Sequence, residues 1–299
     1  MAEYKWRVSQ PVQPAINAAT RLCAVYGSPI AHSASPAMHN AAFAALGLNW
    51  RYLAFEVDPK NLRAAIAGAR AMGFAGLNLT VPHKLLAVEM VDVLDESAKK
   101  WGAVNTIKFE RDSDGKFRSI GYNTDANAIT QSLREDLKVE LHGAKVLLLG
   151  AGGAGRTAAL KLASENVAEL YLVNRTQTKA EEIAGEIKKQ FPSVKVAVGY
   201  PKSNVDLILN ATSLGLKTDD ASPLDEKQFS LEQTHAVYDM IYRPAETALL
   251  KSAKAAGLKS ANGLGMLLHQ GAEAFEIWTG QTAPLDVMRR ALEENIYRK

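Results

Sequence analysis

The feature that most constrains the fold is a short apolar run that leads directly into a glycine-rich stretch. From residue 145 to residue 155 the chain reads Lys-Val-Leu-Leu-Leu-Gly-Ala-Gly-Gly-Ala-Gly, and residues at helical spacing follow. In a strand–turn–helix setting, Gly150 makes the tight turn, Gly152 lets the backbone approach a pyrophosphate and Gly155 allows close helix packing. The helix N-terminus then attracts phosphate groups. The pattern predicts a Rossmann-like dinucleotide-binding domain rather than a merely flexible turn.

The segment about 20 residues further on indicates which dinucleotide is bound. NAD-binding domains usually place an acidic residue there for the ribose hydroxyls, whereas this chain reads Asn174-Arg175-Thr176. Arg175 can offer a bidentate fork to a 2′-phosphate, and Lys179 adds a charge one helical turn later. We therefore predict NADP(H) rather than NAD(H); the alternative is that Arg175 and Lys179 are solvated surface charges.

Alternation of strand-like and helix-like segments over the whole chain predicts an α/β fold with two α/β domains. The predicted strands cover residues 21–26, 51–56, 76–81, 106–110, 117–122, 145–149, 169–174, 195–199, 206–211 and 235–240. The predicted helices cover residues 36–46, 59–72, 84–91, 125–137, 157–163, 266–278 and 284–297. Residues 111–116 contain Asp-Gly and predict a hairpin turn.

Composition excludes several classes of protein. The 299 residues carry 35 Lys and Arg against 32 Asp and Glu, which gives a net charge of +3, too small to predict a nucleic-acid partner. The single cysteine, Cys23, cannot form an internal disulfide, and no apolar run approaches the roughly 18 residues of a membrane span. The six histidines lack metal-ligand spacing. We expect a cytoplasmic enzyme with no metal, membrane or nucleic-acid partner.

Polar residues in the first half cluster at predicted strand ends, where open α/β sheets bind ligands. Ser33 and Ser35 precede a predicted helix; Ser35 before Pro36 is typical of an N-cap, and the two hydroxyls beside a positive helix end suit a carboxylate. Lys84 is predicted at a helix start, where the macrodipole disfavours it and a functional reason is expected. Asn78, Thr80, Asn105 and Asp125 complete this set, although Asp125 alone could be a helix cap.

These residues, with further motifs, resemble the shikimate dehydrogenase family over about residues 25–297. The matching blocks are Ser33-Ala-Ser35-Pro36, Asn78-Leu-Thr80-Val-Pro82-His-Lys84, Ala103-Val-Asn105-Thr106, Asn123-Thr124-Asp125, Gly150-Ala-Gly152-Gly153, Asn174-Arg175-Thr176, Asn210-Ala-Thr212-Ser213, Asp239-Met240-Ile241-Tyr242-Arg243-Pro244 and Gly263-Leu-Gly265-Met266-Leu-Leu-His-Gln270. The resemblance implies reversible NADPH-dependent reduction of 3-dehydroshikimate to shikimate, in aromatic amino-acid and chorismate biosynthesis.

The same resemblance implies roles for individual residues. Lys84 is the implied general acid and base, with Asp125 as its partner. The implied substrate contacts are Ser33, Ser35, Asn78, Thr80, Lys84, Asn105, Asp125, Tyr242 and Gln270. The implied cofactor contacts are Glu96, Gly150, Ala151, Gly152, Gly153, Ala154, Asn174, Arg175, Thr176, Lys179, Thr212, Met240 and Gly263. Two departures, Ala126 where glycine is common and Leu216 where methionine is usual, affect loop shape and pocket packing.

The resemblance also implies a domain division. Residues 20–124 together with about 262–299 are expected to form a substrate domain with a mixed sheet, to which the C-terminal helices return, and residues 125–261 a Rossmann-like NADP-binding domain, with residues 1–19 as an extension. The alternatives are a quinate or dual quinate/shikimate dehydrogenase, against which Ser35 argues because quinate-accepting members often carry threonine there, and a non-catalytic NADP-binding regulator. A homodimer remains open.

Overall fold

The computed structural model describes residues 14–111 and 113–298, and in them two six-stranded sheets stand one after the other along the chain. The first sheet contains β1 (Arg21–Gly27), β2 (Trp50–Glu56), β3 (Gly76–Leu79), β4 (Val93–Leu94), β5 (Thr106–Arg111) and β6 (Phe117–Tyr122). Its order is β2-β1-β3-β5-β6-β4. β1 runs parallel to β2 and β3, whereas β5 runs antiparallel to β3 and β6, which makes the sheet mixed as predicted.

The second sheet is entirely parallel, in the order β12-β11-β10-β7-β8-β9. Its strands are β7 (Lys145–Leu149), β8 (Glu169–Val173), β9 (Lys195–Val198), β10 (Val205–Asn210), β11 (Thr234–Asp239) and β12 (Lys259–Asn262). The central strands are almost completely buried because helices cover both faces, which explains the continuous leucines of β7. The chain leaves β7 for β8 on one side and returns to β10 on the other, so a switch point lies between β7 and β10.

Nine α-helices are seen among the described residues. They are α1 (Ser35–Ala45), α2 (Leu62–Ala71), α3 (Glu96–Trp101), α4 (Asp125–Leu137), α5 (Gly153–Ser164), α6 (Gln177–Gln190), α7 (Ala248–Ala255), α8 (Leu264–Thr279) and α9 (Leu285–Tyr297). α4 connects the two sheets. α8 and α9 follow the second sheet but pack against the first, where the indole Nε1 of Trp278 donates to the carbonyl of Ile107 at 2.9 Å. The predicted return of the C-terminal helices is thereby confirmed.

The main error of the prediction lies around Lys84. The helix predicted over residues 84–91 is wrong: residues 81–85 form a turn, and only a 3₁₀ helix, Leu86–Glu89, follows. The backbone of Lys84 instead accepts a hydrogen bond from the Val104 amide at 2.9 Å, so this segment is held by the loop before β5. Lys84 therefore does not stand at an α-helix N-terminus, and the macrodipole argument does not apply to it.

The predicted helix cap at Ser35 and the alternative of a cap at Asp125 both differ from the structure. Ser35 is the first residue of α1 and makes no capping bond; the Ser33 hydroxyl accepts from the Ser35 amide at 3.3 Å instead. Asp125 is the first residue of α4 rather than its cap, and the Asn123 side chain accepts from the Ala126 amide at 3.2 Å. The carboxylate of Asp125 is thus left for another purpose.

The hairpin turn predicted between β5 and β6 is confirmed, with Gly115 at φ +76°, although Asp112 lies outside the described residues.

The burial of His39 on α1 predicts that the folded protein loses stability at acid pH. Its ring is fully buried, stacks on Tyr52 at 4.3 Å, and has no hydrogen-bond partner for either nitrogen among the described residues. Burial lowers the pKa of His39 to about 3, against about 6.5 in an unfolded chain. The unfolded state therefore binds one more proton between these values, and the free energy of unfolding falls by up to about 1.4 kcal/mol per pH unit as the pH drops below 6.5.

We expect the variant His39→Leu to lack this part of the acid sensitivity, because leucine has a similar volume and does not titrate. Urea unfolding of both proteins from pH 7 to pH 4 measures the difference. Equal pH slopes for the two proteins would contradict the prediction.

Candidate active site

A lysine and an aspartate form the centre of the site at the carboxyl ends of the first sheet. Lys84 Nζ lies 2.7 Å from Asp125 Oδ2, and their side chains are 14% and 3% exposed. Lys84 follows β3, and Asp125 begins α4 after β6, so the sheet topology rather than sequence proximity brings them together. The N-terminus of α4 favours a negative charge at Asp125. The pair provides a positioned ammonium group in a sheltered place.

Asn105 holds the aspartate in position. Its Nδ2 donates to Asp125 Oδ1 and to Thr124 Oγ1, each at 2.9 Å, while its Oδ1 accepts from the Thr124 amide at 2.8 Å. Both oxygens of Asp125 are therefore occupied, one by Lys84 and one by Asn105. The Asn105 amide therefore binds the carboxylate that faces Lys84.

A second set of predicted residues surrounds the start of α1. Asn78 on β3 accepts from the Tyr52 hydroxyl at 2.7 Å and donates to Thr106 Oγ1 at 2.9 Å. The Tyr52 phenol also interacts with the Ser35 side chain, and burial raises its pKa well above the usual value. Ser35 and Asn78, which stand on different elements, are thus linked through one hydroxyl group.

Tyr242 reaches this region from the second sheet. Its hydroxyl accepts a long hydrogen bond of 3.4 Å from the Ala34 amide and also interacts with the Ser33 side chain. Burial raises the pKa of Tyr242, so it remains a neutral donor. Ser33, the Ala34 amide and Tyr242 therefore surround one point at the start of α1, with no acidic group in these contacts. Such a cluster of neutral donors suits a carboxylate ligand.

Other predicted substrate residues are placed as follows. Thr80 directly follows β3, with its amide donating to the Tyr26 carbonyl at 2.9 Å, and it is partly exposed. Gln270 is on α8, 9% exposed, and its amide donates to the Leu267 carbonyl at 2.8 Å. Sequence reasoning assigned no role to Tyr52 or Thr124. A tyrosine inside a strand looks like a core residue, whereas Thr124 stands in a motif that was already recognised.

The glycine-rich loop has the geometry of a phosphate cradle. Gly150 adopts φ +109°, and a Cβ there would lie 2.9 Å from the Ala211 carbonyl carbon and oxygen. A Cβ on Gly155 would lie 2.2 Å from the Gly150 oxygen, so the helix can pack here only without a side chain. At Gly152, by contrast, nothing lies within 4 Å of the Cβ position. The loop is tight on its inner side and open on its outer side, which fits a dinucleotide diphosphate.

The end of β8 fits the adenosine part of such a cofactor. Asn174 Oδ1 accepts from the Ala151 amide at 3.0 Å, so this side chain ties β8 to the glycine-rich loop. Arg175, Thr176 and Lys179 are exposed around the N-terminus of α6, and the Thr176 hydroxyl makes no capping bond. None of these positions holds an acidic residue that would repel a phosphate group. The residues present therefore fit a 2′-phosphate.

The remaining predicted cofactor residues fall into two groups. Met240 and Gly263 directly follow the adjacent strands β11 and β12, and a Cβ on Gly263 would lie 2.0 Å from the Met240 oxygen. Thr212 lies in the turn after β10, where its hydroxyl donates to Asn210 Oδ1 at 2.8 Å. Glu96 begins α3 on the surface, where its carboxylate pairs with Lys99 at 2.6 Å.

Within the described residues no cluster of three metal-ligating side chains occurs, and no helix is long and apolar enough to cross a membrane.

The two half-sites face each other. A Cβ on Gly153 in the cofactor loop would lie 3.8 Å from the Cβ atom of Lys84. A lysine held by a carboxylate, placed against a dinucleotide cradle at the ends of two α/β sheets, is typical of a nicotinamide-dependent oxidoreductase.

Comparison with known proteins identifies the family. Models of the shikimate dehydrogenase substrate-binding domain, of shikimate/quinate 5-dehydrogenase and of the shikimate 5-dehydrogenase C-terminal domain match residues 25–107, 132–216 and 263–293. An NADP⁺-dependent shikimate dehydrogenase of Methanopyrus kandleri is 41% identical over 292 residues, which cover 95% of this chain and 99% of the relative. The chain belongs to the shikimate dehydrogenase family, as its motifs predicted.

Solved structures agree with this assignment. A shikimate dehydrogenase in complex with NADP⁺ superimposes with a TM-score of 0.85 at 41% identity, covering 96% of this chain and all of that one. The Thermus thermophilus enzyme in complex with NADP(H) and shikimate gives a TM-score of 0.79 at 37% identity, covering 92% and 99%. These neighbours confirm the predicted two-domain fold, and both hold the predicted cofactor, NADP(H).

Proposed function

We propose that this protein catalyses the reversible NADPH-dependent reduction of 3-dehydroshikimate to shikimate, a step of aromatic amino-acid and chorismate biosynthesis. The observation that carries the proposal is the Lys84–Asp125 pair at 2.7 Å, packed against the glycine-rich loop. When bound, NADPH supplies the hydride for the ketone carbon. That transfer leaves negative charge on the ketone oxygen, which needs a proton and a nearby positive charge at the same moment.

Lys84 provides both. Its ammonium group donates the proton to the ketone oxygen, and in the oxidative direction the neutral amine accepts the proton of the alcohol. Asp125 fixes the direction of the ammonium group, and Asn105 fixes Asp125. We assign the substrate carboxylate to Ser33, Ser35 and Tyr242, and the ring hydroxyls to Asn78, Thr80, Asn105, Asp125 and Gln270. Because the carboxylate group meets neutral donors, its recognition does not compete electrostatically with Lys84.

We assign the cofactor contacts from the way in which the glycine-rich loop and the end of β8 fit a dinucleotide. We assign the diphosphate to Gly150, Ala151, Gly152, Gly153 and Ala154, and the adenosine phosphate to Asn174, Arg175, Thr176 and Lys179. Thr212, Met240 and Gly263 line the nicotinamide side in this proposal, with Glu96 as a peripheral contact. We further propose residues 20–124 with 262–299 as the substrate domain, residues 125–261 as the cofactor domain, and a cytoplasmic enzyme that forms either a monomer or a homodimer.

The proposed reaction is tested by following absorbance of the reduced nicotinamide with shikimate and quinate, each combined with NADP⁺ and with NAD⁺. We expect shikimate with NADP⁺ to give the highest kcat/KM. A higher kcat/KM for quinate would assign the protein to quinate oxidation, and turnover of neither substrate would contradict the proposal.

The carboxylate assignment gives a separate prediction. Tyr242→Phe and Ser33→Ala should each raise the KM for shikimate about tenfold with kcat within about twofold, because each removes a hydrogen bond to a charged group that is made equally in the ground and transition states. Steady-state kinetics measure this. Tyr238→Phe is the matched control, because Tyr238 is fully buried and its hydroxyl accepts from the Met266 amide at 3.3 Å, outside the proposed site. An unchanged KM in both site variants would exclude this carboxylate site.

A further inference from the structure

Arg156 stands in the first turn of the helix that follows the glycine-rich loop, yet its guanidinium group does not serve that loop. Its Nη2 lies 2.6 and 2.7 Å from the two carboxylate oxygens of Glu186 on α6. Its Nη1 donates to the carbonyl oxygen of Trp101, the last residue of α3. One side chain of the cofactor half therefore holds the backbone of a helix that belongs to the first sheet.

The residue that Arg156 holds is itself anchored across the same boundary. Trp101 is 5% exposed and belongs to the hydrophobic core of the second sheet, together with residues of α4 and α5. Gly102, the residue that caps the C-terminus of α3, adopts φ +61°, and a Cβ there would lie 2.8 Å from Arg156 Nη1. The guanidinium group thus fits directly against the turn that leaves α3. The positive φ favours glycine at this position, and a methyl group there would displace the guanidinium group of Arg156.

The chain leads from this turn straight into the catalytic cluster. Two residues after Gly102, the Val104 amide donates to the Lys84 carbonyl at 2.9 Å. Asn105, the next residue, orients Asp125 through a hydrogen bond of 2.9 Å. Residues 103–106 are buried and closely packed, so a shift of the backbone at Gly102 is passed on to Val104 and Asn105.

We propose that Arg156 is a positioning residue that couples the cofactor loop to the Lys84–Asn105–Asp125 cluster, so that dinucleotide binding strengthens substrate binding. The proposal rests on the proposed function, because it concerns the same two half-sites. An Arg–Glu pair between α5 and α6 alone would stabilise only the second half. The additional bond to Trp101 connects the helix at the phosphate cradle to the segment that places both Asn105 and the backbone of Lys84.

The coupling is measurable in a complex that cannot react. NADPH and shikimate are both reduced, so calorimetry gives the Kd for shikimate with and without saturating NADPH. The ratio of the two values is the coupling factor, and linkage requires the same factor for NADPH when shikimate is added. In the unmodified protein we expect NADPH to tighten shikimate binding by about fivefold or more.

Two variants break the connection in different ways. Arg156→Lys retains a cation for Glu186 but cannot fork to the Trp101 carbonyl as well. Gly102→Ala keeps the arginine in the sequence but adds a methyl group that displaces its guanidinium group from the Trp101 carbonyl. Gly47→Ala is the matched control, since Gly47 adopts a similar φ of +64° with nothing within 4 Å of its Cβ position.

We expect the coupling factor to fall to within about twofold of unity in Arg156→Lys and Gly102→Ala, and to stay at the unmodified value in Gly47→Ala. Thermal melting of each variant confirms that it is folded, and a purely structural role would lower the Tm without changing the coupling factor. Full coupling in either variant, equal loss in Gly47→Ala, or no coupling in the unmodified protein would overturn the proposal. If the unmodified protein does not bind shikimate at all, the proposed function fails instead.

Discussion

Replacing Lys84 by alanine is expected to lower kcat for shikimate oxidation by about 10²- to 10⁴-fold, while the KM values change far less. In this direction the neutral amine accepts the proton of the alcohol as the hydride leaves, so its loss acts mainly on the transition state. Stopped-flow or steady-state absorbance at saturating shikimate and NADP⁺ measures the effect. Lys254→Ala is the control, because Lys254 also pairs with a carboxylate, Glu246 at 2.5 Å, but on the exposed surface.

Asp125→Asn should show the same pattern as Lys84→Ala. An asparagine that keeps accepting from Asn105 must turn its own amide N–H groups toward the Lys84 ammonium group, so two donors face each other where an ion pair stood. The ammonium group then loses its fixed direction. Near-normal turnover in both variants would exclude the assigned roles of this pair.

Arg175→Ala is expected to raise the KM for NADP⁺ by about 10- to 100-fold and to leave the KM for NAD⁺ within about twofold. A charge-assisted bond to the 2′-phosphate contributes about 1.5–3 kcal/mol, and NAD⁺ lacks that phosphate. Kinetics with both cofactors, at fixed shikimate, give the two KM values. The preference for NADP⁺ over NAD⁺ should therefore be lost while the activity with NAD⁺ is retained.

Lys188→Ala provides the comparison for Arg175. Lys188 is an exposed cation in the last turn of the same helix, α6, whereas Arg175 precedes the first. If only the net charge of the protein attracted NADP⁺, both variants would raise its KM equally. An unmodified protein that uses NAD⁺ and NADP⁺ equally well would rule out the assignment of Arg175.

Ten of the twelve described strands were predicted, because their signal is local, whereas β4 and β12 were missed, as were the helices α3, α6 and α7. The leucines of β7 and the alternation in β5 and β6 predict strands without knowledge of their neighbours, and the ends agree with the structure to within two residues. The short elements were not predictable in this way. β4 has two residues and α3 six, too few for a periodic pattern, although Asp95 and Gly102 carry the cap signals of α3.

The site was predictable in its residue types and only partly in its geometry. The polar residues at strand ends were recognised because open α/β sheets collect ligands there, and Lys84 and Asp125 do meet. Their reason for meeting was not local. Lys84 is held by a loop 20 residues away in sequence, through the Val104 amide, and a single chain gives no sign of that contact. For the same reason, helical spacing over residues 84–91 was misleading.

The return of α8 and α9 to the first sheet has a consequence for synthesis on the ribosome. Residues 21–122 leave the exit tunnel first, but their core includes Phe275, Trp278 and Leu292, which are made last. Until α8 and α9 are present, the first sheet therefore keeps part of its apolar surface exposed to water. The second sheet already has all its own strands at that stage and can fold. We expect a released chain that ends at residue 263, which has every strand of the later sheet but lacks α8 and α9, to be protease-sensitive in the early part and protected in the late part. The enzyme would thus gain its activity in one step, as its final two helices are released.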